Sequence, residues 1–97
     1  MSHKLAPVHP GEILCEDYMA TIGLTANQLA MSLRIPANRI TAIIAGKRGI
    51  TADTALRLAR YFGTSAEMWM DLQGDYDLQT ERDRHGAEIE RSVLVPA

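Results

Sequence analysis

Residues 24–48 read LTANQLAMSLRIPANRITAIIAGKR, and this stretch decides the fold. Thr25 has the chemistry of a helix N-cap, and Gln28 three residues later completes a capping box. Leu29, Ala30 and Leu33 then fall on one face of a short helix over residues 25–33. Arg34 and Ile35 make a break, with Arg34 where such turns often carry glycine. Pro36 suits the first position of a second helix over residues 36–45. In it Ile40, Ile43 and Ile44 keep the i, i+3, i+4 spacing of a buried face, and Gly46 ends it. Two short helices joined by a tight turn are helix-turn-helix geometry.

If the isoleucines claim the inner face of the second helix, Ala37, Asn38, Thr41 and Ala42 are left outward, with Arg39 on the flank. Small and amide side chains suit a helix lying in the DNA major groove. Asparagine pairs bidentately with adenine, and alanine or threonine methyls touch the thymine methyl. Lys47 and Arg48 follow as a basic loop placed to meet phosphate, where a helix C-terminus also favours cations. The first turn of the capped helix at Thr25 presents backbone N–H groups of the kind that bind phosphate.

Outward from this core, Pro10 starts a helix with Ile13, Leu14, Tyr18 and Ile22 as one apolar stripe and Gly23 as its stop. Thr51 caps a fourth helix with Leu56, Ala59 and Phe62 inward, ended by Gly63. Arg57 and Arg60 read as its solvated face. Thr64 and Glu67 form a second capping box for a helix carrying Met68, Trp69, Leu72 and Tyr76, expected to fray between Gly74 and His85. Val93-Leu94-Val95 reads as a short edge strand. The expectation is an all-α, five-helix domain over residues 1–78, with an acidic, extended tail over 79–97. Met68, Trp69 and Leu72 are the candidate dimer contacts.

Ninety-seven residues allow one domain and little room for a deep cavity. The formal net charge of −2 argues, taken alone, against a nucleic-acid partner. The distribution argues the other way. Residues 24–62 hold six cations (Arg34, Arg39, Lys47, Arg48, Arg57, Arg60) against Asp53, a net of +5. Residues 63–97 hold eight acids and three arginines, a net of −5. A basic middle beside an acidic end is the footprint of a phosphate-facing side and a different partner elsewhere.

Cys15 is the single cysteine, so no internal disulfide or cysteine zinc site forms, and a reducing compartment is expected. His3, His9 and His85 share no helical face, so neither metal nor other cofactor is expected. No apolar run reaches a membrane span of about 20 residues, and no secretory signal pattern precedes Val8. Cytoplasm is the expected location. Aromatic content of 5% disfavours a stacking platform for single strands. No set of groups assembles into a catalytic site.

Several separated motifs occur together: His9-Pro10-Gly11-Glu12-Ile13-Leu14, Pro36-Ala37-Asn38-Arg39-Ile40, Gly46-Lys47-Arg48-Gly49-Ile50-Thr51 and the run 52–59. With Phe62-Gly63-Thr64-Ser65, Trp69 and Leu72-Gln73, they make residues 8–78 resemble HigA-type antitoxins of the XRE, phage-repressor-like helix-turn-helix group. The resemblance implies a lambda-repressor-like fold and a homodimer on palindromic double-stranded operator DNA in its own promoter. It also implies a protein partner like HigB, a small ribosome-dependent mRNA endonuclease. By position it puts base-edge contacts on Ala37, Asn38, Arg39, Thr41 and Ala42, and phosphate contacts on Thr25, Asn27, Lys47 and Arg48. A stand-alone regulator without a toxin, or an interaction module that has lost DNA binding, would share the same fold.

Overall fold

In the computed structural model, which describes residues 6–96, the first helix starts against the end of the third. Helix α1 begins with an α-helical turn, Pro10–Ile13, capped by His9, whose Nδ1 accepts the Gly11 N–H at 2.9 Å. Pro10 sits at the first position, where its missing N–H costs nothing. Gly11 faces the Ile43 backbone so closely that a Cβ there would overlap the carbonyl oxygen and lie 2.6 Å from its carbon.

From Leu14 to Met19 the coil of α1 widens to π-helical, the Ala20 N–H reaching back to the Cys15 carbonyl, and a 3-10 turn Ala20–Ile22 closes it. One added residue in a turn rotates everything after it. Leu14 and Met19, five apart, are therefore the buried pair, and Ile22, expected in the apolar stripe, is 60% exposed. Gly23 ends the run in the left-handed region, at φ 64°.

Helices α2 (Ala26–Leu33) and α3 (Ala37–Ile44) form the expected pair. The capping box closes in both directions: Gln28 N–H donates to Thr25 Oγ1 at 3.1 Å, and Thr25 N–H to Gln28 Oε1 at 2.9 Å. Leu29, Ala30 and Leu33 are buried. Arg34 takes the left-handed turn conformation at φ 62°, the one described non-glycine residue to do so. Pro36 is the N-cap, so α3 starts one residue later than its proline suggested.

Helix α4 (Ala52–Phe62) is capped by Thr51 and stopped by Gly63. Its buried residues are Thr54, Ala55 and Leu58, with Ala59 and Phe62 half-buried behind them. Leu56, expected inside, lies about 100° round the helix from Ala55 and is 64% exposed.

Helix α5 (Ala66–Ser92) departs most from expectation. Its cap is Ser65, whose Oγ accepts the Met68 N–H at 3.1 Å. The Thr64 hydroxyl instead accepts the buried Trp69 indole N–H at 2.8 Å. No fraying occurs between Gly74 and His85; the helix runs 27 residues, about 40 Å at 1.5 Å per residue. The segment expected as an extended acidic tail is thus helical through Ser92, and residues 93–96 form no strand. Beyond Thr80 nearly every side chain is exposed, so the far half of α5 projects from the body.

The core gathers Leu14, Leu29, Ile40, Ile43, Leu58 and Trp69, each with no accessible surface. The Tyr18 ring packs 4.9 Å from Trp69 and 5.2 Å from Phe62, which ties α1 to α4 and α5. His3 and Lys4, counted among the histidines and cations above, lie outside the described residues.

Gly11→Ala tests the contact on which α1 is seated. We expect a loss of about 3 kcal/mol of stability, the upper range for overpacking a filled core, because the obstacle is backbone and not a movable side chain. A urea unfolding curve with a lowered midpoint and unchanged m-value is the expected readout, and an unchanged midpoint contradicts it.

Candidate nucleic-acid interface

Ile40 and Ile43 hold one face of α3 in the core, which turns Asn38 and Thr41 fully outward and leaves Ala37 and Ala42 half-exposed. The Thr41 hydroxyl donates to the Asn38 carbonyl at 3.2 Å. Its proton is thereby used within the helix, leaving a lone pair and a methyl group for an incoming base. The Asn38 amide has no partner among the described side chains, so donor and acceptor are both free.

Arg39 behaves differently. Its Nη1 donates to Asp53 Oδ2 on α4 at 3.0 Å, and its Nε is buried with no hydrogen-bond partner. Asp53 also receives Arg57 Nε at 2.9 Å, and Arg57 Nη1 donates to the Leu33 carbonyl at the end of α2 at 2.8 Å. The hydrogen bond from Arg57, joined by the one from Arg39, holds the Asp53 carboxyl below the usual carboxylate range. One carboxylate and two guanidinium groups thus tie α2, α3 and α4 together. Arg57, read from the sequence as a solvated cation, is a positioning residue. Its signal was there: an i, i+4 pair with the only acid of residues 24–62.

The residues expected to meet phosphate lie at the start of α2 and after the end of α3. The first ladder bond of α2 runs from the Leu29 N–H to the Thr25 carbonyl at 2.9 Å. With the Gln28 N–H taken by the cap, the Ala26 and Asn27 N–H groups remain at the helix start. The Asn27 side chain is exposed beside them. At the other end Gly46, at φ 74°, turns the chain out of α3, and Lys47 and Arg48 follow, both exposed and without an ion pair among the described residues.

This basic loop is anchored by a residue that the sequence reading counted in the family motif without giving it a role. Gln73, on α5 and 8% exposed, accepts the Ile50 N–H on its Oε1 at 2.8 Å and donates from Nε2 to Asp77 Oδ1 at 2.9 Å. Gly49 leaves the space: a Cβ there would stand 3.0 Å from the Gln73 amide nitrogen. A polar residue one turn after Trp69, on the buried side of an otherwise polar helix, was the available clue. Burial lowers the pKa of the neighbouring His9, against the pull of the Asp77 carboxylate, which favours the neutral ring that can accept the Gly11 N–H.

Of the residues expected to join two copies, one faces inward. Trp69 is wholly buried within its own chain and so has no surface to offer a second one. Met68 and Leu72 are half-buried against the core, the Tyr18 hydroxyl lying 3.5 Å from the Met68 sulfur. Exposed apolar surface lies next to them, at Leu56, Tyr61 and Met70.

A helix-turn-helix family profile matches residues 17–69. The virulence-associated protein I of Dichelobacter nodosus is 47% identical over 88 residues, covering 90% of this chain and 82% of that protein. Among solved structures, an addiction module antidote protein of the HigA family from Coxiella burnetii superposes with a TM-score of 0.90 at 50% identity, covering 95% of this chain and all of that one. The Pseudomonas aeruginosa antitoxin HigA, solved with the higBA promoter, superposes with a TM-score of 0.91 at 40% identity, covering 94% and 99%.

Gln73→Met keeps the length of the side chain and removes both hydrogen bonds. Leaving the buried Ile50 N–H unpaired is expected to lower stability by about 1–3 kcal/mol. Amide exchange at Ile50 should quicken while that of the α2 amides follows only the global loss. Exchange at Ile50 unchanged relative to α2 would show that the loop is held by something else.

Proposed function

The chain belongs to the HigA-type antitoxins of the helix-turn-helix family, and on that premise we propose that it binds operator DNA in its own promoter as a homodimer and restrains a HigB-like toxin. One observation carries the DNA half of this reading. The free amide of Asn38, the outward face of α3 and the unpaired cations Lys47 and Arg48 belong to one short stretch of chain with no internal use for them. Each protomer lays α3 in the major groove. Asn38 reads a base edge, and Ala37, Thr41 and Ala42 supply small apolar and hydroxyl contacts beside it. Thr25 and Asn27 at the start of α2, and Lys47 and Arg48 after α3, meet phosphates. Arg39 is assigned to positioning α3 through Asp53, not to base readout. Two copies place their α3 helices about one turn of DNA apart, ~34–36 Å.

The toxin half is supported by the antitoxin relatives rather than by a site on this surface. Its partner is a small ribosome-dependent mRNA endonuclease, which the acidic α5 would meet by charge. The reading gives the chain no reaction of its own. Among the described residues no helix is long and apolar enough to cross a membrane, and no group of three potential ligands could hold a metal ion. The cytoplasm, where promoter and ribosome are both at hand, is the proposed location.

Two substitutions separate readout from steering. Asn38→Ala is expected to cost ~1–3 kcal/mol on the operator and much less on unrelated DNA, so that discrimination falls. Equal losses on both would take Asn38 out of the reading set. Lys47→Ala with Arg48→Ala is expected to weaken binding to all sequences. It should also make the dependence of log affinity on log salt shallower by about one unit per lost phosphate contact. Gel shifts and fluorescence titrations with the promoter fragment at several salt concentrations measure both. A loss confined to the operator would mean that the loop reads bases. A native chain that binds its promoter at no salt concentration would be an interaction module only.

A further inference from the structure

Asp77 stands where two contacts meet that reach the basic loop from its opposite ends. The first runs through Gln73, whose Nε2 donates to Asp77 Oδ1 at 2.9 Å while its Oε1 accepts the Ile50 N–H at 2.8 Å. An amide has a donor end and an acceptor end, whereas a carboxylate only accepts. Turned the other way, the Gln73 oxygen would face the carboxylate and its NH2 group would face the Ile50 N–H. Asp77 thus holds the amide in the orientation that anchors the loop at Ile50.

The second contact runs through His9. Its Nδ1 accepts the Gly11 N–H at 2.9 Å, so the neutral ring carries its proton on Nε2. The ring lies beside Gly46, where a Cβ would stand 3.9 Å from it, and meets the Tyr76 ring edge-on at 4.8 Å. It therefore supports the start of α1 and the turn out of α3 together. From α5 the Asp77 carboxylate draws a proton toward the ring, and burial opposes one. Glu12 on α1 and Lys47 after the turn are exposed.

A histidine that gains charge ordinarily strengthens binding to a polyanion. Here the geometry points the other way. A proton on Nδ1 sets two donors against each other at the cap that seats α1 on the Ile43 carbonyl, beside the turn leading to Lys47 and Arg48. If fewer chains hold α3 and the loop in place, the apparent affinity falls in proportion.

We propose that Asp77 is a positioning residue for DNA binding, orienting Gln73 beneath the basic loop and governing the proton on His9, so that the grip on DNA weakens in acid. The inference rests on the DNA-binding reading above and gives that surface a pH response. The cap is whole while the ring is neutral. It is lost as pH falls through the ring's titration, which burial sets below the ordinary histidine range.

The test uses the full chain on its promoter fragment at constant salt, at about pH 7.5 and about pH 5.5, with NMR of the His9 ring and the Ile50 amide. The native chain should bind about twofold or more weaker at the lower pH, the loss when half the rings are protonated. His9→Asn supplies a capping acceptor that does not titrate, and its affinity should not fall. Asp77→Asn keeps an acceptor for Gln73 without the charge, so the His9 titration and the loss of affinity should both move to lower pH. Asp77→Ala removes the acceptor as well. Exchange at Ile50 should then quicken relative to α2, and affinity at neutral pH should drop about threefold, with Asp77→Asn recovering it. Native affinity that holds or rises in acid overturns the inference while DNA binding stands. So does a fall that His9→Asn shares, a His9 titration that Asp77→Asn leaves in place, or Ile50 exchange that Asp77→Ala leaves unchanged. A native chain that binds the promoter at neither pH overturns the DNA reading and this inference with it.

Discussion

Helix α3 is held in place by a contact between two backbones. Because residue 11 has no Cβ, the start of α1 lies directly on the Ile43 carbonyl at the end of α3. His9 and Pro10 prepare that start, the one by capping it and the other by needing no hydrogen bond. Immediately beyond Ile43 the chain turns at Gly46 and becomes the basic loop, whose far side is pinned at Ile50 by Gln73. At the opposite flank α3 is held by Arg39 on Asp53. A helix of eight residues could not keep its conformation alone in water. Fixed at both ends, with two isoleucines in the core, it has only its outward face left to offer. The motif His9-Pro10-Gly11 therefore supports the proposed interface by seating α1 against the end of α3.

What the sequence revealed was whatever is decided locally. The capping box of Thr25 and Gln28, the stops at Gly23, Gly46 and Gly63, and the burial of Leu29, Leu33, Ile40 and Ile43 depend on residues within one or two turns of each other. So does the left-handed Arg34, visible as a turn without glycine. The failures share a different character. The π-helical turn of α1 cannot be seen in a periodicity that assumes 3.6 residues per turn, and Ile22 was misplaced as a result. In α4 the apolar spacing put Leu56 inward, whereas Ala55 is the residue that is buried. Both depend on what stands opposite. The role of Gln73 was missed for the same reason, since it is set by a backbone N–H twenty-three residues away.

The length of α5 follows from a balance that the glycines obscured. Gly74 and Gly86 each cost a helix about 1 kcal/mol relative to alanine, which made fraying the natural expectation. Against that stand three side-chain pairs at i, i+4: Gln73 with Asp77, Gln79 with Asp83, and Glu81 with His85, at 2.9, 2.9 and 2.7 Å. Each contributes a few tenths of a kcal/mol. They would not nucleate an isolated helix, but α5 is nucleated on the body, where Trp69 is buried, and extension costs far less than initiation. The acidic end of the chain is thus presented as an ordered helix. Any partner that meets it encounters charges at fixed spacing and is spared much of the entropy of ordering them.

Arg39 shows how an internal ion pair bears on the proposed base readout. By position and type it is the strongest base-edge candidate on α3, since arginine forms the commonest specific contact, to guanine. Here its guanidinium donates to Asp53, and Asp53 is held in turn by Arg57, itself bonded to the end of α2. Withdrawing Arg39 toward a base would strip the carboxylate of one of its two cations at the surface of a polyanion, where the repulsion between Asp53 and phosphate would rise. The triad therefore works against arginine readout and in favour of a fixed α3. In the proposed reading, what remains for discrimination is the amide of Asn38 and the small side chains of Ala37, Thr41 and Ala42. A reader built from these depends on close approach of the helix to the groove floor, and close approach is what a rigidly held, small-residue helix can make.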